Sequence, residues 1–188
     1  MRITSNAHSA GLTRSVTFES MRVLQTERLT LRPLQASDIH AILAMEADPD
    51  VMRYTTGPIS PDAQRRQQLL DHMQSQNQLG HWAIDQGSGF IGWVSLTTLE
   101  NDGRHQVAYR LTAQAWGQGY ATEAAEAVIQ HGFELLDISE IIAVVWPQNQ
   151  ASIRVLSKLS FQFEEMTDYF GKEVELHVRR RRSSQHVQ

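Results

Sequence analysis

Gln114-Ala115-Trp116-Gly117-Gln118-Gly119-Tyr120-Ala121 closes a strand-like segment and opens a long helical one. Gly117 and Gly119 lack a Cβ, so the backbone can turn sharply there and come close to a ligand. The N–H groups that open a helix have no intrahelical partners, and the helix dipole favours negative charge at that end. Together these features suit a diphosphate, although paired glycines also occur in such connections for steric reasons alone. Two other phosphate loops are excluded. The P-loop ends in Gly-Lys-Ser/Thr, and this stretch has no lysine. The dinucleotide fingerprint needs a third glycine three residues after the second, where this chain has Thr122.

Working outward, Ala121, Ala124, Ala125, Val128, Ile129 and Phe133 recur at helical spacing and predict a helix over Tyr120–Leu136. The apolar run Ile141–Trp146 predicts a strand buried on both faces. Asn149–Leu159 reads as an amphipathic helix, and Gln162–Phe170 and Val174–Val178 as strands joined at Gly171. Upstream, Leu29–Leu34 alternates until Pro33 interrupts it, which predicts an edge strand. Ser37 and Asp38 are placed to cap a helix carrying Ile39, Ile42, Leu43 and Met45. A thin-striped helix over Asp62–Met73 precedes strands at His81–Ile84, Phe90–Leu99 and Gln106–Thr112, the last two joined through Asn101-Asp102-Gly103. The order β-α-α-β-β-β-α-β-α-β-β predicts an α/β fold, one mixed sheet with helices on both faces.

The chain has 188 residues, 41% hydrophobic and 20% charged, as expected of one globular domain. Residues 1–22 read as a disordered extension, 23–179 as the domain and 180–188 as a basic disordered tail. No apolar run approaches the roughly 20 residues a membrane span needs. A formal net charge of −4 argues against a general nucleic-acid binder, and a cytoplasmic protein is expected. The absence of cysteine excludes disulfides, thiolate metal sites and a cysteine nucleophile. The eight histidines show no metal-ligand spacing, so no metal is expected.

Gln114-x-x-Gly117-x-Gly119 resembles the Q/R-x-x-G-x-G/A signature of the GCN5-related N-acetyltransferase (GNAT) superfamily. Trp116 to Ala124 is similar to the RimJ/RimL-like branch, which acetylates ribosomal-protein N-termini. Leu24–Arg32, Asn149-x-x-Ser152 with Lys158-Leu159-x-Phe161, and Gly171–Val174 agree with that branch in order and spacing. The resemblance implies a mostly antiparallel central sheet, splayed where acetyl-CoA enters. It implies that backbone N–H groups over Gly117, Gln118, Gly119, Tyr120, Ala121 and Thr122, after Gln114, hold the cofactor's pyrophosphate. The edge of the strand reaching Leu111 and Thr112 would pair with the pantetheine arm, beside a bulge that splays it from Ile141–Trp146. Asn149 would bond the pantetheine amides and Ser152 would sit close by, while Asn149 also reads as a helix N-cap.

Acetyl transfer to an amine needs a neutral nucleophile, a donor for the oxyanion and a tolerable leaving thiolate. An α-amine titrates near ~8 and a lysine amine near ~10.4, so the former is far easier to deprotonate. The resemblance implies direct attack without a covalent intermediate, and a backbone N–H near Leu111 or Thr112 as oxyanion donor. The position where many relatives carry a glutamate base is Gln106, and the position of a tyrosine acid is Leu156. Glu100 and His105 are the substitutes expected for the base, and Tyr109 is a candidate hydrogen-bond donor.

The expected reaction is therefore acetyl-CoA-dependent acetylation of a primary amine, on a protein N-terminus or a small molecule. The acceptor pocket is expected around Tyr54–Pro61. A non-catalytic coenzyme A-binding module is the alternative. Arg179, Arg180, Arg181 and Arg182 form a basic run whose default reading is a solvated terminus and whose sharper reading is an RNA or ribosome contact. A homodimer is compatible with such a fold.

Overall fold

The computed structural model describes residues 22–74, 79–87, 89–99, 103–169 and 171–181. Its strands are β1 (Leu24–Gln25), β2 (Leu29–Pro33), β3 (Gly80–Gln86), β4 (Gly89–Thr98), β5 (His105–Leu111), β6 (Glu140–Val145), β7 (Gln162–Tyr169) and β8 (Lys172–Arg180). Its helices are α1 (Ile39–Ala47), α2 (Ala63–Gln74), α3 (Tyr120–Leu135) and α4 (Gln150–Lys158). Among the described residues the strands form one sheet in the order β1-β2-β3-β4-β5-β6-β8-β7. Every neighbouring pair is antiparallel except β5 with β6. That single parallel contact follows from the intervening α3, which returns the chain to start β6 in the same direction as β5.

The apolar spacing of α3 buries Ala124, Ala125, Val128 and Ile129 against Trp82 and Ile84 of β3, Val94 and Leu96 of β4, Val107 of β5 and Ile141 and Ala143 of β6. Leu156 of α4 joins the same core. On the opposite face, Ile39, Ile42 and Leu43 of α1 and Leu69 of α2 pack with Phe90 and Trp93. After Glu140, β6 is apolar because it serves both sides: Ile142 and Val144 belong to a separate cluster with Leu176 and Val178 of β8.

β2 is not the sheet edge, because β1 pairs with it at Leu24↔Leu31 and Gln25↔Thr30. β1 stops there, so Pro33 lies beyond its reach and removes no hydrogen bond from that pair. Asp38 does not cap α1 through its side chain. Its carboxylate instead takes two hydrogen bonds from Arg32, both 2.8 Å, and one from the Gln35 N–H, also 2.8 Å. Arg32 also binds Asp85 of β3 through Nε at 2.7 Å.

The packed region reaches further at both ends than the expected 23–179. The Arg22 carbonyl accepts a hydrogen bond from Trp82 Nε1 at 2.9 Å. β8 runs through Arg180, and the Arg181 N–H bonds the Ser139 carbonyl at 2.9 Å. Arg179 pairs with Glu126 of α3, Arg180 with Glu140 and Glu164, and Arg181 with Asp137. Arg179 and Arg180 therefore end a sheet strand and Arg181 follows it, all three paired with acids distant in sequence. Arg182 and residues 1–21 lie outside the described residues.

Candidate active site

β5 and β6 pair only at His105↔Ile141 and Gln106↔Ile142, then separate. A cleft of about 530 Å³ occupies the gap and reaches both faces of the sheet. The register between β4 and β5 is unbroken from Thr98↔His105 to Gly92↔Leu111. No bulge in that pair produces the splay; the irregularity lies one strand away, between Ile84 and Asp85 in the β3–β4 pairing. The Thr112 N–H is bonded to the Ile91 carbonyl at 2.9 Å, so it is not available as an oxyanion donor. Antiparallel bonding alternates along a strand, so Tyr109 and Leu111 direct their N–H groups away from β4 and into the gap.

The glycine loop forms one end of the cleft, with Gly117, Gly119, Tyr120, Ala121 and Thr122 on its wall. Gly117 (φ +75°) and Gly119 (φ +83°) both adopt the left-handed conformation. Gly119 is the N-cap of α3 and supplies no side chain, so the first N–H groups remain open toward an anion. Glu123 in that first turn would oppose an anion, but Thr26 and Arg28 engage it. Thr26 Oγ1 donates at 2.6 Å, the Arg28 N–H at 2.9 Å and Arg28 Nε at 2.7 Å. Arg28 also bonds the Gln118 carbonyl at 2.9 Å, which ties the loop to the start of β2. Gln118 in turn donates to the Gln114 carbonyl, so these two residues shape the loop from behind and do not line the cleft. Trp116 Nε1 donates to the Leu111 carbonyl at 3.0 Å and joins the loop to the end of β5. Arg154 and Lys158 of α4 add positive charge to the cleft wall.

Midway along, the Tyr109 hydroxyl meets Ser152 Oγ at 2.7 Å. Burial pushes the Tyr109 phenol up to about 12, with the Ser152 hydrogen bond pulling the other way. Asn149 is the N-cap of α4, and its Oδ1 accepts the Ser152 N–H at 3.2 Å. Tyr109, Leu111, Asn149 and Ser152 thus line one cleft.

Of the two bases expected from sequence, His105 does not join them. His105 sits at the closed end of the splay, paired with Ile141, and is not on the cleft wall. Glu100 lies outside the described residues. Gln106 is buried and accepts a 3.4 Å contact from the Tyr169 hydroxyl. Among the described residues lining the cleft, the one carboxylate is Asp50, which is paired with Arg53.

At the far end, on the α1/α2 face, Tyr54 and Thr55 of the expected Tyr54–Pro61 loop line the cleft. Arg110 joins them, a residue that sequence reading passed over. Its guanidinium stacks 5.2 Å from the Trp93 ring and lies 3.5 Å from Glu46 Oε1. Arg65 takes both oxygens of the buried Glu46, at 2.7 and 2.8 Å. The signal available in sequence was a charge in the middle of an otherwise uncharged strand, Gln106-Val107-Ala108-Tyr109-Arg110-Leu111.

A sheet that opens between two parallel strands beside an uncapped helix N-terminus is the architecture of an acetyl-CoA-dependent N-acetyltransferase. The acetyltransferase (GNAT) domain model matches residues 28–162, and the chain belongs to that family. Enzymes of this class transfer an acetyl group from acetyl-CoA to an amine. The chain is 33% identical over 158 residues to the uncharacterized N-acetyltransferase p20 of Bacillus licheniformis, covering 81% of this chain and 89% of p20. The acetyltransferase structure from Agrobacterium tumefaciens superposes with a TM-score of 0.73 at 24% identity, over 93% of this chain and 100% of that one. The Mycobacterium smegmatis RimJ structure, in complex with CoA-disulfide, superposes with a TM-score of 0.64 at 18% identity, over 81% of each chain. At that identity the likeness shows the fold alone, and the ribosomal-protein branch rests on motif resemblance. Among the described residues no cluster of His, Asp or Glu could hold a metal ion, and no helix is long and apolar enough to cross a membrane.

Proposed function

We propose that this chain acetylates a primary amine that enters from the α1/α2 face and attacks the thioester directly, in the cytoplasm where acetyl-CoA is available. The observation that carries the reading is the continuity of one cleft from the open N–H groups of α3, past Tyr109 and Ser152, to Tyr54 and Arg110. Acetyl-CoA supplies an activated acyl group on a thiol leaving group. The α3 N–H groups, with Arg154 and Lys158, hold its phosphates. The gap-facing N–H groups of Tyr109 and Leu111 hold the extended arm by main-chain bonds, as an added strand, and Leu111 is the oxyanion donor in reach. Tyr109 stays protonated at neutral pH and donates a hydrogen bond where the thiolate departs. With Asp50 engaged by Arg53, proton removal falls to water.

The test is release of free thiol from acetyl-CoA on incubation with peptides, amino acids, polyamines and aminoglycosides. Turnover lost in a Gly117, Gly119 double substitution supports the reading. Acetyl-CoA binding with no thiol release from any amine replaces it with a non-catalytic binding module.

A further inference from the structure

Charge at the acceptor end of the cleft does not balance. Two guanidinium groups, Arg65 and Arg110, share one carboxylate, Glu46. Arg65 occupies both Glu46 oxygens at hydrogen-bond distance, while Arg110 has only a 3.5 Å contact with one of them. Among the described residues the remaining partner of Arg110 is the Trp93 face, which attracts the cation but accepts no in-plane N–H bond. The neighbouring Arg53 and Asp50 satisfy each other and leave no negative charge to spare. The Arg110 side chain is only 18% exposed, so water covers little of it.

We infer that Arg110 receives a carboxylate of the acceptor, and that the substrate class is small amines carrying a carboxylate, such as free amino acids. The inference rests on the acetyltransferase reading above. A guanidinium presents paired N–H groups that match the two oxygens of a carboxylate, and such bidentate bonds are strong where water is excluded. Burial lowers the pKa of Arg110 from its ordinary value, with Glu46 opposing and Arg65 reinforcing that effect, so a second anion relieves an existing cost. The position also fits the chemistry. Side chains alternate along a strand, so Arg110 lies on the α1/α2 face while its neighbour Tyr109 lies on the α3/α4 side beside Ser152. A carboxylate on Arg110 therefore holds the amine of a compact molecule close to the strand segment that lines the gap. A polyamine would bring positive charge against Arg110, and a peptide N-terminus would have an amide where the carboxylate belongs.

The experiment compares free amino acids with their own carboxamides and with spermidine. Two readouts are used: kcat/KM from thiol release, and calorimetric binding to the protein saturated with coenzyme A. Wild type is expected to favour at least one acid over its amide by about 10- to 100-fold in both. Arg110→Gln removes that preference while acetyl-CoA affinity is kept, and Arg110→Lys restores part of it. The inference is overturned if amides or spermidine match the acids in the wild-type protein, a result that needs no variant to fold. It is also overturned if a folded Arg110→Gln keeps the preference. Absence of thiol release from every amine sinks the acetyltransferase reading itself, a distinct outcome.

Discussion

The Tyr109 hydroxyl lies 2.7 Å from Ser152 Oγ, joining the open half of β5 to the first turn of α4. The two residues are 43 positions apart in sequence, and their contact spans the gap that divides the sheet. It places a neutral phenol on the cleft wall, where the proposed reaction releases its thiol.

Tyr109→Phe is expected to lower kcat about 10- to 100-fold with a small change in KM for acetyl-CoA. Steady-state kinetics on the preferred acceptor checks this. An unchanged kcat would reduce Tyr109 to a packing residue.

The same phenol gives a pH signature. Its folded pKa is about 12 against an ordinary 10, so the native state holds the proton more tightly. Its contribution is intact below pH 10 and falls as pH rises from 10 toward 12, by at most about 1.4 kcal/mol for each pH step of one. Urea denaturation at pH 9 and pH 11 should show a steeper loss in wild type than in Tyr109→Phe.

Asn149 caps α4, and one pair of variants separates that cap from the proposed contact with the cofactor arm. Asn149→Ala removes the α4 cap and should cost about 1 kcal/mol of stability. Asn149→Ser keeps a capping oxygen and should recover most of that, while KM for acetyl-CoA stays raised if the amide also holds the cofactor arm. Equal KM values in wild type and Asn149→Ser would leave only the cap.

Gly117 and Gly119 have left-handed φ, so replacing both with valine strains the loop by on the order of 1–2 kcal/mol per residue. A Cβ on Gly119 would also stand 3.4 Å from the Arg28 guanidinium that braces the loop. The acetyl-CoA Kd is expected to rise by tenfold or more in calorimetry. Wild-type affinity in the folded double variant would remove the loop from the cofactor site.

Arg32→Met should destabilise the domain by about 3–5 kcal/mol at pH 7, because Asp38 is left charged and buried. Burial alone pushes the Asp38 carboxyl up, but the bonds from Arg32 and Gln35 outweigh it and hold the pKa below its ordinary value. That stability is present above about pH 4 and is lost as pH falls through the lowered value. Without Arg32 the sign reverses, so the gap between variant and wild type should narrow as pH falls toward 4. Thermal melts across that range measure it.

The features legible in sequence are those set by neighbours a few residues apart. Element order, the glycine loop, the α4 cap at Asn149 and the two-sided burial of β6 all follow from local spacing and backbone freedom. The family and its cofactor followed from the same short motifs. What sequence could not show depends on contacts between distant segments. Glu46 and Arg110 are 64 positions apart, Arg179 and Glu126 are 53 apart, and Arg181 and Asp137 are 44 apart. His105 looked as eligible as Tyr109 until the sheet closed at one and opened at the other. Local propensity and hydrophobic period dictated which elements form. Only the packed sheet decided which charges meet, because electrostatic partnership depends on distance in space, and the chain sets that only after it has folded.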